Sequence, residues 1–404
     1  MMTSLYLDIP YHQQDHSYYC GLATAQMLLG SILQKTPSQI VLANHPVVSD
    51  LGILDADLAA LLNTWAPKGF GTFTNIRYPD PEAGMHAIVK TLFDSRIAVP
   101  AEIFLGPNGH WVAITGAVVE GGKPPDEPYE IKGFFLHNPD PVTAIVAAST
   151  LDPDEAPDAY PPPPFDHRTG DHCGEGRQRG AKHVYYTAYA WKHYNWATAD
   201  CIAISNGHQP TADDYSHSTE ATLADHGPAP AAQPITDDPA AVSAASAGIA
   251  SHGLDKLGPF AGLLGDVRTA RVDGQKIGSP VKETWSCVSF TFTNGNHATA
   301  LVAQNGEFLA LMASTHGEVP YDAEQLAMTS LMFGEDVTVT DFADHLATRN
   351  YRMQEPRFWL PCEQSMSPFH PFVKAQIDGH TVFIGQDKRV HRELRRGRCS
   401  SGRR

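Results

Sequence analysis

Apolar positions along the first third of the chain alternate between two periods, and each period marks an element. After Cys20, Leu22, Ala25, Leu28, Leu29, Ile32 and Leu33 recur at helical spacing, with Gly21, Ala23 and Ala25 small enough for close burial, so a buried helix over Cys20–Leu33 is expected. Further helices are expected at Ser38–Ala43, Asp55–Trp65 and Pro81–Asp94. The last opens on Asp80-Pro81, an N-cap followed by proline at the first helical position, and carries Met85, Ile88, Val89 and Leu92 on one face. Runs of β-branched and aromatic residues predict strands at Ile97–Leu105, Trp111–Val118, Gly133–His137 and Asp200–Ser205.

Two composition shifts divide the remainder. Residues 147–181 are rich in Pro, Asp and Gly and read as a long surface insertion, and residues 207–248 are dominated by Ala, Pro, Asp, Ser and Thr, the composition of a flexible linker with little packing. The expected organisation is therefore a first domain over 1–206, the linker at 207–248, an α+β accessory domain over 249–387 and a basic tail at 388–404. In the accessory unit SCVSFTF, HATALVAQ, GEFLALMAS and TVFIGQ read as strands and Tyr321–Phe333 as a helix. The fold class expected for the first domain is α+β, a helical subdomain against an antiparallel sheet with a cleft between them.

Charge narrows the partners. Lys and Arg number 29 against 45 Asp and Glu, a net charge of −16, which disfavours nucleic acid and anionic membrane surfaces. The eight Lys/Arg against one Glu between Lys388 and Arg404 read as a solvated tail. No basic n-region with an apolar h-region opens the chain and no stretch is long enough to span a bilayer, so a cytoplasmic location is expected. Phosphate-cradling and dinucleotide-binding motifs are absent, and no cofactor is expected.

The six cysteines, Cys20, Cys173, Cys201, Cys287, Cys362 and Cys399, contain no C-x-x-C pair, and His172, Cys173, His183, His193 and Cys201 lack zinc-ligand spacing; no metal is expected. Cys20 differs from the others in opening a helix. There the macrodipole and unpaired N–H groups favour the thiolate, the form a nucleophile needs. Gln14, six positions upstream, can donate with the Cys20 N–H to an oxyanion, with Gln13 as its misregistered competitor. His110, at the mouth of the strand in Gly-His-Trp-Val-Ala-Ile-Thr-Gly, is the candidate base. Asn138, or Asp140 two residues later, is the candidate acceptor that orients its imidazole. Tyr18, Tyr19, Gly109 and Trp111 are candidate substrate-binding residues, whereas Trp65 reads as core.

Gln-x5-Cys-Gly opening a helix, Gly-His-Trp-Val and a strand ending in Asn-Pro together resemble a papain-like cysteine peptidase, in the bacterial group similar to bacteriocin-leader (double-glycine) peptidases. The resemblance covers residues 1 to about 206. It implies Cys20 as nucleophile, His110 as general base and then acid, Asn138 as orienter where many members have Asp, and Gln14 as oxyanion donor. It also implies a peptide or protein substrate. Neither transmembrane spans nor an ATP-binding cassette follow, so export of a double-glycine peptide is not implied. Two alternatives share the residues: a transglutaminase-like or deamidating enzyme using the same thioester, and a non-catalytic peptide-binding or effector module.

Overall fold

The computed structural model describes residues 1–139, 181–193, 200–205, 218–223, 232–275, 282–314, 351–360, 367–377, 380–384, 390–391 and 393–394, apart from short gaps at 16–18, 34–35, 50–52, 54, 79, 105–108 and 294–296. The molecule is mixed α+β, a large sheet with few helices. Its first half runs β1 (Met2–Leu7), α1 (Cys20–Ile32), α2 (Gln39–Ala43), α3 (Asp55–Trp65), β2 (Thr72–Arg77), α4 (Pro81–Ser95), β3 (Val99–Phe104), β4 (Gly109–Gly121), β5 (Tyr129–Asn138), β6 (Ala181–Thr187), α5 (Ala188–His193) and β7 (Asp200–Ser205). The second half runs β8 (Ser218–Leu223), α6 (Asp238–Ser251), β9 (Leu263–Gln275), β10 (Lys282–Phe292), β11 (His297–Ala303), β12 (Phe308–Ser314), β13 (Tyr351–Trp359), β14 (Phe372–Ile377), β15 (His380–Ile384) and β16 (Val390–His391).

Helices and strands expected from periodicity in the first half fall within a residue or two of these bounds, with β4 and β5 extending a few residues further. The α4 start has the anticipated chemistry: the Asp80 side chain accepts from the Ala83 N–H at 2.8 Å, with Pro81 in the first turn. Not anticipated were β1 and β2, whose sequences MTSLYL and TFTNIR are short and mixed, nor β9, β13 and β14.

β4 is the spine of the first half. Its first eleven residues are buried, as expected of a central strand covered on both faces. One edge pairs with β5, from Ala113↔His137 to Gly121↔Tyr129. The other is shared: β3 takes the N-terminal part, from Phe104↔Gly109 to Val99↔Ile114, and β1 takes the C-terminal part, from Tyr6↔Gly116 to Met2↔Glu120. At the handover a Cβ on Gly116 would stand 2.1 Å from the Leu5 carbonyl oxygen, so the close approach of β1 needs a residue without a side chain.

Alternation along β5 and β6 separates two cores. Phe134, Leu136, Val184 and Tyr186 join the cluster formed with α1, α3 and α4, whereas Phe135 and Tyr185 point into the cluster that includes Ala241, Ala245 and Ile249 of α6. The sheet is thus a middle layer, with α1, α3 and α4 on one face and α6 on the other.

Two features differ from the organisation expected from composition. Residues 207–248 are not devoid of packing: β8 pairs with β1, and most of α6 lies in this span, burying Ala241, Ala245 and Gly248. Asp237 caps α6 by accepting from the Ala240 N–H at 2.9 Å. The run of Ala, Ser and Gly that reads as linker is what lets the helix lie close to the sheet; a Cβ on Gly248 would be 2.3 Å from the Phe308 Cβ. Secondly, no break in the sheet separates 1–206 from 249–387. β6 pairs with β12, from Ala310↔Tyr186 to Ala313↔His183, and among the described residues the strands form one 16-stranded sheet. Val272, Trp285, Leu301 and Phe369 share a core cluster with Leu22 and Leu28.

Most of the 147–181 insertion and the helix expected at 321–333 lie outside the described residues, as do 395–404 of the basic tail. No helix among the described residues is long and apolar enough to cross a membrane.

Candidate active site

Cys20 is the first residue of α1, 2% exposed. The helix is buried all round its first ten residues, and Tyr19 caps it without a side-chain hydrogen bond. No acidic side chain lies in the first turn. The sulfur therefore sits at the positive end of a macrodipole that no nearby carboxylate of the same turn offsets.

α1 lies against β4 so that the residue after Cys20 meets the residue after His110. A Cβ on Gly21 would be 3.1 Å from Trp111 Cδ1 and 2.3 Å from Ile53 Cγ2. Glycine at 21 thus permits the close approach that brings the start of the helix to the start of the strand.

His110 and Asn138 come together across β4 and β5, 28 residues apart in sequence. His110 Nε2 lies 2.6 Å from Asn138 Oδ1, and both side chains are fully buried. An amide oxygen only accepts, so Nε2 is the nitrogen that carries the proton and donates. The basic lone pair is consequently on Nδ1, at the other side of the ring. Asn138 shares strand parity with Phe134 and Leu136, which face the α1 side of the sheet. Its carbonyl accepts from the Tyr11 hydroxyl at 2.9 Å, tying the strand end to the segment between β1 and α1.

That segment carries Gln14, which is buried, unlike Gln13, which is half-buried. Its backbone N–H donates to the Pro139 carbonyl at 2.9 Å, one residue past Asn138. The side-chain Oε1 is buried and accepts no hydrogen bond from a described residue. Around it, Gln39 of α2 accepts from the Asp15 N–H at 2.9 Å through Oε1 and donates through Nε2 to the Gln13 carbonyl at 2.7 Å and to Gln26 Oε1 at 3.1 Å.

The structure thus joins His110 to Asn138, and Gln14 to the end of β5, and sets Gly21 of α1 against Trp111 of β4. Asp140 and Tyr18 lie outside the described residues, and Tyr19 is half-buried. Trp111 and Gly109 are buried, which places Trp111 in the wall between α1 and β4. Glu102 of β3, also buried, lies over Gly109: a Cβ there would be 1.6 Å from its Oε1. Glu102, Tyr11, Gln26 and Gln39 were not singled out from sequence. Nothing in their spacing marks them, because Tyr11, Gln26 and Gln39 bond to residues 13 to 127 positions away and Glu102 meets Gly109 only through the pairing of β3 with β4. Among the described residues no group of three His, Cys, Asp or Glu gathers as a metal site would; His172 and Cys173 lie outside them.

A separate cavity of about 530 Å³ lies between α6 and the sheet, lined among others by Lys132, Tyr189, Ser243, His252 and Phe308. Its lining includes none of Cys20, Gln14, Gln39, His110 or Asn138. Compared with known protein families, curated proteins and solved structures, the chain matches none.

Proposed function

We propose that the protein is a cysteine peptidase of papain-like architecture, with Cys20 as nucleophile, His110 as general base and then acid, Asn138 as orienter and Gln14 as oxyanion donor. The reading is carried by the buried 2.6 Å contact between His110 Nε2 and Asn138 Oδ1. Burying an imidazole and an amide is costly unless they are hydrogen-bonded, and the bond that offsets this cost also fixes the orientation of the ring. Here it directs the basic nitrogen away from the amide and makes it available to a thiol at the head of a helix packed on the same strand.

In this mechanism Nδ1 of His110 takes the Cys20 proton and the thiolate attacks the carbonyl carbon of a peptide bond. The new C–S bond converts the carbonyl to an oxyanion, held by the Cys20 N–H and the Gln14 amide. Collapse breaks the C–N bond, with the imidazolium giving its proton to the leaving amine. Water, deprotonated by His110, then cleaves the thioester to acid and restores the thiol.

The substrate of this reading is a peptide or protein, since the net charge of −16 disfavours nucleic acid and anionic membrane surfaces as partners. The test is cleavage of a broad peptide pool, read by mass spectrometry, with Cys20→Ala as control. Backbone cuts made by wild type alone are the expected result. Equal products from both proteins, or a one-dalton side-chain change without backbone cuts, overturn it, the latter in favour of a deamidating enzyme on the same thioester.

A further inference from the structure

Oxyanion stabilisation requires a donor already in place when charge develops on the carbonyl oxygen. A glutamine on an irregular segment does not meet that requirement by itself, since its backbone would sample several conformations. The structure assigns that immobilising role to Gln39: it is a positioning residue that holds Gln14 in place for the reaction proposed above, on which this inference rests.

The geometry is a clamp on both sides of one Cα. The peptide unit before Gln14 offers the Gln13 carbonyl, and Gln39 Nε2 donates to it at 2.7 Å. The peptide unit after Gln14 offers the Asp15 N–H, and Gln39 Oε1 accepts from it at 2.9 Å. A single primary amide therefore engages the two peptide planes whose rotation sets φ and ψ of Gln14. The Gln14 N–H is fixed separately, to Pro139 beside Asn138.

The second Nε2 hydrogen of Gln39 reaches Gln26 Oε1 at 3.1 Å, and Gln26 lies on α1, the helix that begins with Cys20. The oxyanion donor is thereby braced to the nucleophile's helix on one side and to the orienter's strand on the other. Gln39 is 0% exposed and Gln26 2%. Both ends of the Gln39 amide are used, and only an amide supplies donor and acceptor together at that size. A carboxylate would lose the two donated bonds, and an apolar isostere all three.

The test separates two reactions of one thiol. Iodoacetamide alkylates a thiolate by displacing iodide and forms no oxyanion. p-Nitrophenyl acetate acylates it through a tetrahedral oxyanion, making the S–C bond, breaking the ester C–O bond and releasing p-nitrophenolate. In full-length Gln39→Met, alkylation of Cys20 is expected within about twofold of wild type, while acylation slows roughly 10- to 100-fold, less than outright loss of a donor. Gln39→Glu, which retains the size and the acceptor, is expected to slow acylation in the same sense and serves if Gln39→Met does not fold.

Gln14→Ala should show the same split, and Gln14→Ala/Gln39→Met should be no slower than Gln14→Ala alone, because one residue acts through the other. Equal acylation in wild type and both Gln39 variants, additive effects in the double variant, or alkylation and acylation falling together with thermal stability each overturn the Gln39 role and leave the peptidase reading standing. Absence of Cys20-dependent acylation in wild type overturns both.

Discussion

Asn138 offers His110 a single acceptor, and the worth of that acceptor is directional. In the reaction proposed above, Asn138→Ala removes the acceptor that orients the imidazole and is expected to lower kcat by roughly 10²-fold with little change in KM, the cost of a catalytic group out of alignment. Asn138→Asp keeps an oxygen at the same place and should recover most of the loss. The candidate two residues on, Asp140, is tested by Asp140→Ala, which retains near-wild-type turnover if Asn138 alone orients the ring. Steady-state kinetics on one cleavable peptide distinguishes the three variants.

α6 shows what a helix with few large side chains depends on. Its buried positions are Ala241, Ala245, Gly248 and Ile249, so its stability comes from proximity to the sheet and from its cap rather than from bulky burial. Gly248→Val would force atoms into Phe308 and is expected to destabilise the protein by about 1–3 kcal/mol. Asp237→Ala removes the cap at about 1 kcal/mol. Urea titrations measure both. The same helix explains a limit of reading by pattern: Ala, Ser and Gly are shared by linkers and by closely packed helices, and only the three-dimensional neighbour, Phe308, tells them apart. In contrast α1, α3 and α4 were legible, because Leu, Ile and Met at helical spacing have one physical explanation. β4 was legible as an apolar run bounded by Gly109 and Gly116. β1 was not: MTSLYL acquires its strand character from Gly116–Glu120, more than a hundred residues later. Within the candidate site, Cys20, His110, Gln14 and Asn138 carry chemistry in their own local sequence that suggests a role, whereas the Gln39 contacts exist only between residues far apart in the chain.

At the scale of the molecule, the continuous pairing from β5 through β6 to β12 makes the two halves dependent on each other. A fragment ending at residue 206 would lose β12 from the β6 edge, β8 from β1 and α6 from the core around Phe135 and Tyr185. It is expected to aggregate or remain unfolded, whereas the full chain should melt in one cooperative transition by circular dichroism. Acid should weaken the whole structure through three histidines. Burial pushes His12, His252 and His370 from an ordinary 6.5 down to about 4, with the Gly248 carbonyl partly opposing the effect at His252. Above pH 6.5 these rings are neutral in both native and unfolded chains and cost nothing. As pH falls from about 6.5 towards about 4 the unfolded chain takes up protons that the native one refuses, so stability drops across that window and levels off below it. His370→Phe should flatten the decline, by up to about 3 kcal/mol at its acid end.

The sharing of one edge of β4 between β3 and β1 has a consequence for biosynthesis. The strand at the start of the chain leaves the ribosome long before its partners: at typical elongation rates the residues that pair with it on β4 follow after on the order of ten seconds. Those of β8 come later still. Throughout that interval Leu5 and Leu7, which end up fully or almost fully buried, have no sheet to enter. A nascent-chain holdase that shields short apolar segments would therefore be expected to raise yield by covering β1 until β4 has been made.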